Sequence, residues 1–367
     1  MTSRNTIVLS TGGSGGHLFP AQALAQELVR RGKKIVVMTD ARGTTYKTQF
    51  PEAQIEIVPA AAFSDRSKIR LMTAPFEIAA GIAVSLAKLR RIKPAAVVGF
   101  GGYPSVPVML AAIMAKLPTA ILAPDAVLGR ANRLVANRVK TIAGGLPLVR
   151  FLPKDMSKVT YTGNPMRPEV LAQAAAPYET PLKDDPLHLL VFGGSQGARA
   201  LSELVPHAVK LMPAELRERL NIVQQCRPED LETVRLTYAD SGVKAELAPF
   251  FTDLPVRMAK SHLVIGRSGA GTVSELAVIG RPAILIPLPH ALDDNQTPNA
   301  DALANAGGGW RVTQSTLTPQ VMADMLTAAF SDPEDLARRA ASALTLGKPD
   351  ATQRFADLVE KLAGAAA

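Results

Sequence analysis

The sequence predicts an α/β protein made of two Rossmann-like domains, each built on a parallel sheet. Apolar, strand-like runs alternate with helical patterns along both halves, which is typical of parallel sheets with crossover helices. At 367 residues the chain is also long for a single hydrophobic core. Three glycine-rich loops each follow an apolar run and precede a plausible helix. Because backbone N–H groups at such a helix start favour an anion, we expect a phosphorylated ligand in a cleft between the domains.

The first domain is predicted over residues 1–163. Its expected strands are short apolar runs, namely Thr6–Thr11, Lys34–Thr39, Ile55–Val58, Ala95–Phe100, Thr119–Leu122 and Val159–Thr162. Five prolines between Asn164 and Pro186 break this rhythm, which indicates a linker over residues 164–186.

The second domain is predicted over residues 187–349 and repeats the plan. Its expected strands are Leu187–Phe192, Asn221–Gln225, Lys244–Ala248, Leu263–Gly266, Ala283–Pro287 and Trp310–Thr313. Its helices are expected to begin near Ala198, Asp253, Gly271 and Gln296. The chain after Pro319 is helical in pattern, and its last segment, residues 350–363, is expected to pack back on the first domain. The ligand should lie at the carboxyl ends of both sets of strands.

Composition excludes several classes of protein. A hydrophobic content of 47% with 20% charged residues fits a well-packed enzyme and argues against disorder. The single cysteine, Cys226, excludes an intrachain disulfide framework and is expected to be a buried thiol. The first residues lack a signal-peptide pattern, and the weakly polar stretch Leu71–Ala87 is too short and too polar for a membrane span.

Charge is divided unevenly along the chain. Residues 1–163 carry 22 Lys+Arg and 8 Asp+Glu, whereas residues 164–367 carry 19 and 24. The first domain should therefore attract an anionic membrane surface, a nucleic acid or a substrate with a pyrophosphate. Aromatic residues make up only 5% of the chain, and no nucleic-acid module is recognisable. We expect no nucleic-acid partner.

The first glycine-rich loop, Thr11–His17, departs from the dinucleotide-binding pattern. Its glycines do not have the Gly-x-Gly-x-x-Gly spacing, and no acidic residue that could bind a ribose follows about 20 positions later. Both differences disfavour binding of NAD. His17 titrates near neutral pH and could take a proton from an attacking hydroxyl. The alternative is that His17 only caps the helix. A related segment, Phe100–Ser105, is either a close-approach loop or a tight turn.

The segment Gly266–Asn299 is the richest in polar groups. Ser268, Gly269, Gly271 and Thr272 form an anion cradle, and Glu275 can accept two hydrogen bonds from a ribose diol. The segment His290–Gln296 carries amides suited to sugar hydroxyls, with the alternative that Asp293 and Asp294 cap the next helix.

The sequence has no motif that would hold a metal ion or hydrolyse ATP. No Asp-x-Asp element, no His/Cys ligand spacing and no P-loop occurs. We expect no cofactor and no metal, with leaving-group charge met by loop amides and an arginine such as Arg167.

Five segments together resemble the MurG family of bacterial N-acetylglucosaminyltransferases over nearly the whole chain: Gly12–Pro20, Gly99–Pro104, Gly163–Arg167, Gly193–Ala198 and Arg267–Asn299. The resemblance implies the GT-B fold and inverting transfer of N-acetylglucosamine from UDP-GlcNAc to the muramoyl C4 hydroxyl of undecaprenyl-linked lipid I, which gives lipid II for peptidoglycan. It further implies a peripheral enzyme on the cytoplasmic side of the inner membrane, a role in cell shape and division, and partners among other cell-wall or division proteins.

The same resemblance implies roles for individual residues. Ser14, Gly15 and Gly16 would line the acceptor side, with His17 as the favoured base. Arg167 and the backbone at Phe251 would contact uracil, and Ser195 the donor phosphates. Glu275 would bind the ribose, while Asn295 and Gln296 would bind the sugar hydroxyls. The pyrophosphate would be cradled by Ala270, Gly271, Thr272, Val273 and Ser274.

One departure from the family and one charged surface complete the prediction. The chain has Ala123-Pro124-Asp125 where the family has His-Glu-Gln-Asn, and Asp125 is expected to substitute in part for the missing residues.

Apolar residues within Ile69–Leu86 are expected to contact the membrane, with a solvated helix face as the alternative. The accompanying basic residues are Arg66, Lys68, Arg70, Lys88, Arg90, Arg91, Lys93 and Lys140. Two other functions stay open: a catalytically degenerate UDP-GlcNAc-binding or scaffold protein, and a UDP-GlcNAc 2-epimerase on the same fold.

Overall fold

The structure is a computed structural model that describes residues 5–12, 15–41, 50–60, 68–194 and 198–364. The chain divides into two compact units. The first comprises Met1–Arg167 and Asp350–Ala367, and the second comprises Pro168–Pro349. The division falls inside the segment that the sequence predicts as a linker.

The first unit is built on a parallel sheet with the strand order β3-β2-β1-β4-β5-β6-β7. Its strands are β1 (Thr6–Ser10), β2 (Lys34–Thr39), β3 (Gln54–Ile57), β4 (Ala96–Gly99), β5 (Thr119–Ala123), β6 (Thr141–Gly144) and β7 (Val159–Tyr161). Every residue of β4 and β5 is buried, as expected for a sheet with both faces covered. The predicted parallel architecture is confirmed, but the prediction missed β6, whose four residues end in the small Ala143 and Gly144.

Helices cover both faces of this sheet. They are α1 (Gly15–Arg30), α2 (Lys68–Ile92), α3 (Ser105–Met114), α4 (Arg130–Val135) and α14 (Ala351–Gly364), numbered in chain order. On one face, Leu24 of α1 shares a core with Phe355 of α14, whose ring meets Phe100 edge-on at 5.9 Å. On the other face, Leu89 of α2 and Met109 of α3 belong to a second core.

The second unit is built on a parallel sheet with the strand order β10-β9-β8-β11-β12-β13. Its strands are β8 (Leu187–Phe192), β9 (Leu220–Gln225), β10 (Lys244–Ala248), β11 (Leu263–Gly266), β12 (Ala283–Leu285) and β13 (Gly309–Arg311). Its helices are α5 (Pro168–Leu171), α6 (Arg199–Leu211), α7 (Ala214–Arg217), α8 (Leu231–Asp240), α9 (Leu254–Lys260), α10 (Ala270–Ile279), α11 (Gln296–Asn305), α12 (Pro319–Ser331) and α13 (Pro333–Leu346). The single cysteine, Cys226, is buried as predicted.

The chain between α5 and β8 is held to the second unit by Arg281. This side chain is 2% exposed and donates hydrogen bonds to the carbonyls of Ala176, Pro177 and Ala259. The buried guanidinium thereby satisfies carbonyl groups in a proline-rich stretch that forms no regular ladder.

The strand orders place a topological switch point in each sheet. In the first unit the direction of winding changes between β1 and β4, and in the second it changes between β8 and β11. Ligands of open parallel sheets bind outside the carboxyl ends of the strands at such points. The glycine-rich loops after β1, β8 and β11 all begin there.

The described residues include no helix whose length and apolar character would let it cross a bilayer.

Candidate active site

At the switch point of the first sheet, His17 lies against the loop that follows β4. A Cβ added to Gly101 would come 3.1 Å from the Cε1 atom of His17, and one added to Gly102 would come 3.3 Å from Cδ2. Both glycines have left-handed backbones, with φ of +87° and +74°. Glycine is therefore required here for its conformation and for the close approach of the imidazole ring. The segment Phe100–Ser105 is therefore both a site of close approach and a turn, since the N–H of Ser105 donates to the carbonyl of Gly102 at 3.1 Å.

The surroundings of His17 keep its imidazole neutral. Its Nδ1 atom is buried and, among the residues that the structure describes, no group forms a hydrogen bond with it. Burial lowers the pKa of His17 below its usual 6.5, and the nearby carbonyl of Phe100 opposes that shift in part. A neutral imidazole can accept a proton at pH 7.

Other predicted residues of the first unit lie around the start of α1. Gly15 and Gly16 are its first two residues, and a Cβ on Gly16 would meet nothing within 4 Å. The guanidinium carbon of Arg167 lies 4.8 Å from the centroid of the Phe19 ring, so Arg167 is close to the first turns of α1. Ser14 lies outside the described residues.

The segment Ala123-Pro124-Asp125 lies at the carboxyl end of β5, at the same edge of the sheet. The side-chain amide of Asn164 donates to the carbonyl of Pro124 at 3.0 Å. Asp125 is half-buried and comes next in the chain. A carboxylate is therefore present at the sheet edge that carries His17, at the position where the resemblance implies the longer segment His-Glu-Gln-Asn.

At the switch point of the second sheet, the helix α10 presents an open N-terminus. The helix begins at Ala270, one residue before the expected start near Gly271, so all five residues of the predicted cradle, Ala270–Ser274, lie within it. A Cβ on Gly269 or on Gly271 would meet nothing within 4 Å. Open space therefore lies beside the start of α10, whose first N–H groups have no partner within the helix, and a helix start of this kind can bind an anion. Glu275, half-buried, follows in the second turn.

The loop after β12 is tied to the loop after β11 by polar side chains. Ser268 donates from its hydroxyl to the carbonyl of Gln296 at 2.8 Å, and buried Asn299 donates to the carbonyl of Ser268 at 3.1 Å. The side-chain oxygen of Gln296 accepts from the backbone N–H of Leu288 at 2.9 Å. Gln296 therefore has a structural role beside its predicted contact with sugar.

The backbone between Leu288 and Gln296 is strained. His290, Asp293 and Asp294 all have positive φ, a conformation that is uncommon for residues other than glycine and that concentrates at ligand sites. The N-cap position of α11 is Asn295, and Asp294 accepts from the hydroxyl of Thr297 at 2.6 Å. The bond from Thr297 ties Asp294 to the first turn of α11, and the alternative in which Asp293 and Asp294 cap this helix stays a prediction.

The third loop of this edge follows β8, and Ser195 within it lies outside the described residues. The predicted uracil contact, Phe251, is 8% exposed, and the guanidinium carbon of Arg257 lies 4.4 Å from its ring centroid.

Gln225, the last residue of β9, accepts from the N–H of Gly193 at 3.3 Å and donates to the carbonyl of Pro249 at 3.1 Å. Gln225 thus joins the loops after β8 and β10. Its signal in the sequence is an amide at the carboxyl end of a strand.

A second residue that the prediction missed is Arg267, directly after β11. It is 7% exposed and donates to the carbonyls of Ile286 and Pro287 and to the side chain of Gln314. Burial lowers the pKa of this guanidinium. Its three acceptors fix the point at which the chain leaves β12 for the strained loop.

We expect Arg267→Met to weaken donor binding without touching the donor. The substitution leaves two buried carbonyls without a partner, which should cost about 2 kcal/mol of unfolding free energy and loosen the following loop. The donor KM should rise about tenfold while kcat changes less. Steady-state kinetics and thermal unfolding measure both effects. The matched control is the exposed Arg235→Met; equal donor KM values for the two variants would contradict this role for Arg267.

Two of the basic residues predicted to contact a membrane are engaged within the fold. Lys88 and Arg91 form ion pairs with Glu56, the latter at 2.7 Å. Arg90 and Lys93 are exposed, as is Phe76 with 78% of its surface accessible. Arg66 lies outside the described residues, and only the backbone of Lys68 and Arg70 is described.

Within the described ranges, no three His, Cys, Asp or Glu side chains are grouped as metal ligands.

Comparison with known proteins decides the family. Residues 7–144 match the model of the glycosyltransferase family 28 N-terminal domain, and residues 188–361 match that of the family 28 C-terminal domain. The chain belongs to glycosyltransferase family 28. Among curated relatives in family 28, a protein of Nitrobacter hamburgensis is 48% identical over 99% of this chain and 98% of its own length. A protein of Chelativorans is 49% identical over 98% and 95%. Both are named UDP-N-acetylglucosamine--N-acetylmuramyl-(pentapeptide) pyrophosphoryl-undecaprenol N-acetylglucosamine transferase.

Solved structures place this family 28 chain in the same fold. The crystal structure of Acinetobacter baumannii MurG has a TM-score of 0.81 and 30% identity over 97% of this chain and 99% of that chain. The predicted GT-B fold and the resemblance to the MurG family are thus confirmed. A UDP-GlcNAc 2-epimerase of Neisseria meningitidis, with a TM-score of 0.65, 16% identity and coverage of 97% and 100%, shares the fold alone.

Proposed function

We propose that this chain transfers N-acetylglucosamine from UDP-GlcNAc to the muramoyl C4 hydroxyl of undecaprenyl-pyrophosphoryl-MurNAc-pentapeptide, converting lipid I to lipid II. The observation that carries the proposal is the 48% identity, over nearly full length, to a relative named for this transfer. The glycine-lined edges of the two sheets supply groups that such a transfer needs.

In the proposed reaction the acceptor hydroxyl attacks the anomeric carbon of the donor sugar. A bond forms from the acceptor oxygen to that carbon as the bond to the β-phosphate oxygen breaks, and the electron pair leaves with UDP. The hydroxyl proton passes to the neutral imidazole of His17, whose lowered pKa keeps it ready to accept. A single displacement of this kind inverts the anomeric configuration.

Groups mainly of the second unit would stabilise the negative charge that develops on UDP. The open N-terminus of α10, from Ala270 to Ser274, offers N–H groups to the pyrophosphate. Ser195 would add a hydroxyl and Arg167 a positive charge. Glu275 would accept from the ribose hydroxyls, Asn295 and Gln296 would hold the sugar, and the backbone at Phe251 would contact uracil. We propose that these groups take the place of a divalent cation.

We further propose that the two units divide the substrates. Residues 1–163, with the helix over 350–363, would bind the acceptor, with Ser14, Gly15 and Gly16 on that side. Residues 187–349 would bind the donor, and residues 164–186 would link the two. Exposed Phe76 of α2, together with exposed Arg90 and Lys93 at the end of that helix, supports peripheral attachment to the anionic cytoplasmic side of the inner membrane.

The test is a transfer assay with labelled UDP-GlcNAc and a lipid I analogue in detergent. We expect label in a disaccharide product that carries the new β linkage. Donor binding without transfer, rescued by restoring the family's His-Glu-Gln-Asn in place of Ala123-Pro124-Asp125, would instead identify a degenerate relative. Release of a C2-epimeric hexosamine in the absence of acceptor would identify an epimerase. Either result contradicts the proposal.

A further inference from the structure

A second apolar and basic surface lies on the first unit, away from α2. It is formed by α4 and by residues 148–158, and we call it the α4 surface. Four large apolar side chains on it are exposed: Leu134 by 58%, Phe151 by 47%, Leu152 by 49% and Met156 by 39%. Single exposed apolar residues need no explanation, but a group of this size on neighbouring segments does.

The two segments of the α4 surface are joined by specific contacts. The guanidinium carbon of Arg133 lies 3.8 Å from the centroid of the Phe151 ring. The backbone N–H of Lys154 donates to the side chain of Asn137 at 2.9 Å, and the N–H of Val149 donates to the carbonyl of Ala126 at 2.8 Å. The two segments that carry the exposed apolar side chains are thus held together.

The backbone of Phe151 is strained. Its φ is +56°, and a bulky residue in the left-handed region is a genuine outlier. Such strain costs about 1–3 kcal/mol and persists where the surrounding structure imposes it, often at a site that binds something. Here the strained residue is an aromatic ring left about half exposed.

The charge of the region is complementary to phosphate. Residues 126–161 contain seven Lys+Arg and a single Asp. Lys154 is exposed within the α4 surface, and Arg138 and Lys140 are exposed on the chain between its two segments. Among these, only Lys140 belongs to the basic set predicted from the sequence.

The fold makes the α4 surface continuous with the side of the unit that carries α2. Helix α3 packs against α2 and also against α4, so the three lie side by side on one face of the sheet. Apolar groups that project from a helix and a loop, surrounded by basic side chains, can enter the headgroup layer of a bilayer.

From these observations we infer that the α4 surface binds an anionic lipid surface, with Phe151 and Leu152 entering the headgroup layer and Arg138 and Lys154 binding phosphate groups. The inference adds a second contact to the proposed membrane association and assigns it to residues outside α2. It does not depend on the transfer reaction.

The test is sedimentation of the purified chain with vesicles of equal parts phosphatidylcholine and phosphatidylglycerol. Phe151→Asn and Leu152→Ser should each lower the partition coefficient about three- to tenfold. Lys154→Glu should lower it roughly tenfold at low salt and less at high salt. Asparagine tolerates the left-handed region, so Phe151→Asn should leave thermal stability unchanged.

The matched controls are Leu236→Ser, at a residue 55% exposed on α8, and the exposed Lys183→Glu, both in the second unit. Neither should change vesicle binding. Phe151→Asn and Leu152→Ser that bind as tightly as the unsubstituted chain would overturn the inference, and so would an unsubstituted chain that ignores anionic vesicles. If the true partner of the α4 surface were an acidic protein, Phe151→Asn and Leu152→Ser would bind vesicles as tightly as the unsubstituted chain. Activity on a water-soluble acceptor analogue is unaffected in every case, so failure here leaves the proposed reaction standing.

Discussion

Replacing His17 with alanine is expected to lower kcat about 10²–10⁴-fold, the usual contribution of a general base. The donor KM should change little, because the groups proposed to hold UDP belong mainly to the second unit. The measurement is steady-state transfer to a lipid I analogue together with UDP binding by calorimetry. The matched control is His207→Ala, which removes an exposed histidine from α6 and should leave both quantities unchanged. Equal, small effects of the two substitutions would contradict the role of His17.

The pH dependence should carry the signature of the same group. Burial lowers the pKa of His17 below 6.5, so the base is in its neutral form throughout the neutral range. In a profile of kcat/KM, activity should fall only as pH drops below 6.5. Stability follows the same sign: the unfolded chain takes up a proton at His17 before the native chain does, so His17 makes acid destabilise the fold below pH 6.5. His17→Ala should remove this part of the acid sensitivity. An acid limb centred above 6.5 would point to another base.

Replacing Glu275 with alanine is expected to weaken UDP binding roughly a hundredfold, because two hydrogen bonds to a charged carboxylate are lost. The effect should appear with UDP alone, since the proposed partner is the ribose diol and not the sugar. Thermal unfolding should show that the second unit remains folded. Glu215→Ala, at an exposed carboxylate on α7, is the matched control and should bind UDP normally.

A ligand lacking one hydroxyl separates this role of Glu275 from a general effect of charge. The unsubstituted chain should bind 2′-deoxy-UDP more weakly than UDP, whereas Glu275→Ala should bind the two about equally. This comparison isolates the pair of carboxylate and hydroxyl as a double-mutant cycle does. Discrimination that survives the substitution would show that Glu275 does not bind the ribose.

Much of the architecture follows from local pattern. Buried parallel strands are near-continuous apolar runs, and Lys244–Ala248 and Leu263–Gly266 were predicted with the bounds that the structure has. The prediction failed for β6, where the run is short and ends in small residues. The start of α10 was expected near Gly271 and lies at Ala270, directly after the N-cap Gly269.

The sequence predicts individual residues of the candidate site, but it does not show which side chains support them. His17 and Glu275 are predicted because they lie in the first turns of helices that follow glycine-rich loops, and Gln296 because amides follow the strand-like run Ala283–Pro287. The partners of Arg267 and Gln225 cannot be predicted in this way, since a polar side chain that bonds distant carbonyl or N–H groups has no sequence period that marks those groups. Their partners come from other strands, and only the folded sheet brings them within reach.

The sequence by itself determined that this chain has two parallel α/β domains with glycine-rich loops at strand ends, because apolar periodicity and glycine placement are local properties. It also carried the motifs of family 28. The tertiary structure decided which groups meet. It placed His17 on the left-handed Gly101 and Gly102, buried its Nδ1 atom and so lowered its pKa, and it gathered Phe151 and Leu152 beside α4. Desolvation and close approach depend on residues far apart in the chain, and therefore arise only once the sheet has formed.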